Sequence, residues 1–121
     1  MPIDVLIVDD NDGINLIRTR LNSEFDCDAS ICDVAGAMDY LSHTKPYIAV
    51  VEPEDENQPL FQPNDRTQFI KEIKQQGITV VLATCVEKKE LDRYGLEPND
   101  YDYYIGKPYK TEDLVDVIRA V

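Results

Sequence analysis

Basic residues are scarce in this sequence: 12 Lys and Arg stand against 24 Asp and Glu, a formal net charge of −12. Nucleic acids are held by clusters of Lys and Arg on phosphate, so the composition argues against DNA or RNA binding through this domain. A basic protein face or a cation fits the charge better, and the acids also keep the chain soluble. Long apolar runs are missing too. None approaches the roughly 20 residues of a membrane span. The opening IDVLIV (3–8) is too short for a signal-peptide core and lacks a basic flank. The expected setting is therefore cytoplasmic, without a membrane partner. Cys27, Cys32 and Cys85 are odd in number and lack C-x-x-C spacing. Free thiols in a reducing compartment fit better than a zinc site or a disulfide framework. The lone histidine, His43, has no ligand companions. No Gly-rich turn follows the first apolar run: VDDNDG offers acids where a nucleotide phosphate would need free backbone N–H groups. A G-x-S-x-G elbow and a Cys/His pair at catalytic spacing are absent as well. These gaps weigh against an enzyme or a nucleotide binder, which stands as the rival from another class.

What is present alternates between two periods. IDVLIV, CDASIC (27–32), YIAVV (47–51), ITVVLA (78–83) and YDYYI (101–105) read as strands. Between them lie helical patterns. GINLIRTRL spaces Ile14, Ile17 and Leu21 for one face. DVAGAMDYL does the same with Val34, Ala37, Met38 and Leu41, behind Asp33 as N-cap. RTQFIKEIKQQ turns Phe69, Ile70 and Ile73 inward and ends at Gly77. EKKELDRY (87–94) predicts a charged, weakly amphipathic helix stopped by Gly95. TEDLVDVIRAV predicts a last helix capped by Thr111, with Leu114, Val115, Ile118 and Val121 on one face. The stretch EPEDENQPLFQPND (52–65) breaks the pattern with three prolines and five acids, and reads as a loop.

Five strand–helix units in 121 residues imply one domain, 1–121, without repeat or linker. Strands this apolar belong in a parallel sheet covered on both faces. The expected architecture is a flavodoxin-like (βα)5 three-layer sandwich with strand order 2-1-3-4-5 and its site beyond the carboxyl ends of the strands. The residues after the strands are Asp9-Asp10, Glu52-Pro53, Thr84-Cys85 and Gly106-Lys107-Pro108. One cleft would then gather three carboxylates, a hydroxyl and an ammonium. Carboxylates about 4 Å apart repel by roughly 4 kcal/mol at an effective dielectric near 20. They must take up a proton, bind a cation or pair with a base. A hard divalent ion such as Mg²⁺ suits oxygen donors. Such a group would also hold a phosphoryl on a carboxylate.

These residues resemble the receiver domain of two-component response regulators, over essentially the whole chain. VLIVDDND is similar to the family's first strand and acidic pair, VVLATC to its fourth strand, and YYIGKPY to its fifth strand with aromatic, lysine and proline. The resemblance implies that Asp9, Asp10 and Glu52 surround a Mg²⁺ ion, that Thr84 and Lys107 contact the phosphoryl group, and that Tyr104 is the switch. It also implies a cis Lys107–Pro108 bond. The partner it implies is a signalling protein, a histidine kinase or a downstream effector; a homodimer is compatible with it. The docking surface would run over the fourth helix, fifth strand and last helix, with Tyr101, Tyr103 and Tyr109 as contacts.

Two departures from the family's pattern alter the chemistry. The family's phosphoacceptor is aspartate, whereas PYIAVVE puts Glu52 there. The extra methylene adds roughly 1.5 Å of reach and spoils in-line attack, since positioning is most of phosphoryl-transfer catalysis. Glu52 instead brings a permanent negative charge toward Thr84 and Lys107. The loop 53–64 is about six residues longer than usual and lacks the family's Pro-Gly-x-x-Gly pattern; it is a surface insertion, a lid or an altered partner surface. Two outcomes stay open for the acids: they hold a metal, or Glu52 turns to Lys107. Two readings stay open for the chain: an atypical receiver that works without phosphorylation, or a conventional phosphorylatable one.

Overall fold

The apolar runs form the sheet in the expected order. In a computed structural model that describes residues 2–121, β1 (Ile3–Val8), β2 (Cys27–Ile31), β3 (Ile48–Val51), β4 (Thr79–Thr84) and β5 (Tyr103–Gly106) pair in parallel as β2-β1-β3-β4-β5. All four β3 residues are sealed from solvent, as are Val5 to Val8 and Val80 to Thr84. That explains why these strands carry no polar alternation. Helices α1 (Ile14–Glu24), α2 (Val34–His43), α3 (Asp65–Gln75) and α4 (Thr111–Ala120) supply the outer layers. Leu6, Val8, Val51 and Leu82 face one core with Phe69, Ile70 and Ile73 of α3. Val5, Ile7, Val50 and Val81 face the other, with Leu21 of α1 and Leu114 of α4.

Several expectations shift locally. The segment expected to be a fourth α-helix is a 3-10 helix, Lys88–Tyr94. Only Leu91 and Tyr94 are buried in it. That is a spacing of three, which suits three residues per turn better than an α-helical stripe. Gly95 ends it in the left-handed region at φ 78°. Met38, expected on the inner face of α2, is 46% exposed; Ala37 is buried instead, with Tyr40 and Leu41 packed beside it. Asp33 caps α2 as expected, accepting from the Gly36 N–H at 2.7 Å. Thr111 is the first residue of α4 rather than its cap; the Asp113 carboxylate accepts from the Lys110 N–H at 2.9 Å and secures that end. Val121 lies at the exposed end of its helix. The Lys107–Pro108 bond is cis.

Leu82, buried in mid-strand, tests the core. Leu82→Ala is expected to cost about 2–5 kcal/mol, read from the midpoint of urea denaturation at unchanged slope.

Candidate functional site

Register brings the chemistry together. Val8 pairs with Val51, so Asp9 and Glu52 leave the sheet side by side. Thr84 pairs with Gly106, and the Lys107 N–H donates to the Thr84 carbonyl at 2.9 Å. Lys107 Nζ then donates to Asp9 Oδ2 at 2.7 Å and to Glu52 Oε1 at 3.1 Å. Asp9 is 4% exposed and Glu52 9%. Glu52 also accepts from the Glu54 N–H through Oε2 at 3.2 Å, and the Thr84 hydroxyl stands near enough to favour its charged form. Thr84 is fully buried, and its oxygen in turn accepts from the Val86 N–H at 3.0 Å. Tyr104 packs against the α3-side core and donates its hydroxyl to the Val86 carbonyl at 2.6 Å. Four of the six residues singled out in the sequence therefore form one connected group: Asp9, Glu52, Thr84 and Lys107. Tyr104 is tied to it through the chain after β4.

Burial sets the titration of this group. It pushes the Glu52 carboxyl above the usual glutamate range, against the opposing pull of the Thr84 hydroxyl and Lys107. Burial alone would lower Lys107; the hydrogen bond to Asp9 and the charge of Glu52 outweigh it and leave the ammonium held above its ordinary value. For a base with a raised folded value, the stability gained is present at neutral pH and lost only in strong alkali.

Asp10 goes elsewhere. It is exposed, and its Oδ1 lies 3.3 Å from Nη2 of Arg66. Arg66 itself is buried in the first turn of α3. Its Nη1 donates to the Glu54 carbonyl at 2.9 Å and the Glu52 carbonyl at 3.4 Å, and Nε lies 4.0 Å from Asp55 Oδ2. Arg66 escaped the sequence reading. A cation in the first turn opposes the helix dipole, so a buried one there has anionic partners outside its helix, but that burial follows from the loop fold and not from spacing.

The three acids expected to surround Mg²⁺ are paired with cations of the chain itself. Asp9 and Glu52 share an ammonium, and Asp10 points to a guanidinium. Among the described residues no three His, Cys, Asp or Glu side chains converge as metal donors. The residues present do not fit a divalent cation.

The long loop is folded down rather than free. Asn64 caps α3 and donates its side-chain amide to the Pro53 carbonyl at 2.8 Å. Tyr94 donates to Glu54 Oε2 at 3.3 Å, the rings of Phe61 and Tyr94 lie 5.8 Å apart, and Arg93 sits 4.1 Å above Phe61. Pro63 presses on Gly95, where an added Cβ would come within 3.2 Å of it. Of the tyrosines expected on a docking surface, Tyr101 and Tyr103 pack half-buried on opposite cores. Tyr109 is a packing residue: its hydroxyl is buried with no hydrogen-bond partner among the described residues, and burial pushes it up to about 12. Cys27 is buried, and burial raises both its thiol and that of Cys32.

No protein-family profile matches the sequence, and no curated protein matches it. Solved structures do. The chemotaxis protein CheY4 of Vibrio cholerae aligns over 100% of this chain and 99% of its own, with TM-score 0.78 and 16% identity. The signal receiver domain of an HD domain-containing protein from Pseudomonas fluorescens aligns over 99% and 94%, with TM-score 0.76 and 18% identity. A response regulator from Thermotoga maritima aligns over 99% and 97%, with TM-score 0.77 and 14% identity. The fold is that of response-regulator receiver domains. At these identities the likeness is one of receiver fold. Among the described residues no helix is long and apolar enough to cross a membrane.

The raised Glu52 carboxyl gives a test. The folded protein holds this proton more tightly than the unfolded chain, so ionising it costs stability. As pH rises from the ordinary glutamate value upward, wild type is expected to lose stability relative to Glu52→Gln. Paired urea titrations across that range measure the difference.

Proposed function

We infer that the chain is a receiver-type signalling domain that acts through protein–protein contact and does not depend on phosphorylation. One observation carries this reading: the Glu52 carboxylate takes the Lys107 ammonium at 3.1 Å, with the Thr84 hydroxyl beside it. These are the two contacts that the resemblance assigns to a phosphoryl group. The oxygens of Glu52 are also committed. One faces Lys107 and the other accepts from the Glu54 N–H. An attacking carboxylate must be aligned with a phosphodonor, and the extra methylene of Glu52 together with these contacts works against that alignment.

The structural consequence is a bias rather than a switch. A fixed charge changes a conformational equilibrium only by favouring one state over another. Here the charge holds Thr84 toward the pocket while Tyr104 is fastened to Val86. The face formed by Lys88–Tyr94, β5 and α4 is then available to a signalling partner, such as a kinase or a downstream effector, in one arrangement.

Incubation with acetyl phosphate and Mg²⁺, followed by intact-mass measurement, tests the reading. The mass is expected to stay unchanged. A phosphate added to Glu52 contradicts it.

A further inference from the structure

We propose that the Arg66 guanidinium is the resident cation of this pocket, standing where a divalent metal would be sought and excluding one. The inference deepens the receiver reading, on which it rests for the expectation of a metal, and it gives a cause for the misfit between these residues and Mg²⁺.

Three oxygens form a half-shell beside the acidic pair: Asp10 Oδ1, the Glu54 carbonyl and the Glu52 carbonyl. Oxygens of this kind, carboxylate and backbone carbonyl, are what hard divalent ions take. All three are turned toward Arg66. A guanidinium is planar, keeps its charge and carries five donors in a fixed fork, so one side chain can serve several oxygens at once. Its side chain is 8% exposed, so the charge is buried against these partners rather than dangling in water. A covalently attached cation also needs no supply from solution. Mg²⁺ would have to displace a buried charge, find near-octahedral geometry and meet the positive charges of both Arg66 and Lys107.

The same contacts explain the loop. The Glu52 and Glu54 carbonyls belong to the start of the long connection, and Asp55 comes next. Arg66 sits at its far end, in the first turn of α3. The guanidinium thus closes the loop over the pocket, beside the Asn64 amide on Pro53. Supplying the cation and folding the lid are one act of one residue. Arg66 positions the acids and the loop.

Mn²⁺ binding read by electron paramagnetic resonance, together with melting temperature in Mg²⁺, tests this on wild type, Arg66→Gln and Arg66→Met. Wild type is expected to leave Mn²⁺ free and to shift by less than about 1 °C in about 10 mM Mg²⁺. The variants are expected to bind Mn²⁺ and to gain about 2–8 °C with Mg²⁺. Variants that fold only when Mg²⁺ is added also support the proposal. Saturable Mn²⁺ binding by wild type overturns it. So do folded variants that ignore the metal, or variants unfolded with and without it. The outcome separates from that of the phosphorylation test: a wild type that takes phosphate yet binds no metal removes the functional reading, and one that binds metal yet takes no phosphate removes this one.

Discussion

Everything at the carboxyl edge of the sheet depends on Lys107 lying between Asp9 and Glu52. Parallel strands buried on both faces deliver their last side chains into a confined space, and three strands here deliver two acids and a base. Two carboxylates with no partner would repel by kilocalories and force one of them to hold a proton. The ammonium removes that conflict, and its distances of 2.7 and 3.1 Å leave no gap for water between the charges. Because the partners come from β1, β3 and β5, the pocket ties the sheet across its width.

A second pairing of acid with base lies beside the first. Arg66 meets Asp10 and the chain after β3, so the pocket is lined by two cations held by covalent attachment. In a protein with a net charge of −12, placing two of only 12 basic residues at one strand edge is a concentrated use of positive charge. The arrangement is satisfied within the chain.

Much of this was legible in the sequence, and for identifiable reasons. The apolar runs at 3–8, 47–51 and 78–83 pointed to a buried parallel sheet because no polar face interrupts them, and the topology then placed Asp9, Glu52, Thr84 and Lys107 together. The turning of Glu52 to Lys107 stood among the outcomes a pairing argument allows, but spacing does not encode which partner a side chain turns to. Arg66 was illegible to periodicity, which treats a polar helix position as solvent-facing; its partners are set by how the loop 53–64 folds, a non-local matter. Met38 was misplaced because helical spacing defines a stripe and not its width, and Ala37 with Tyr40 fills the space. The 3-10 form of Lys88–Tyr94 goes with only two buried side chains, three apart, which a charged sequence does not announce.

The contact between Glu52 and Lys107 is the hinge of this account, and a double-mutant cycle measures it directly. Unfolding free energies of wild type, Glu52→Gln, Lys107→Met and the double variant, at neutral pH, give the coupling between the two side chains. A buried pair of opposite charges is expected to couple by roughly 1.5 kcal/mol or more. A coupling within about 0.5 kcal/mol of zero would mean that the two charges do not meet, and would contradict the account.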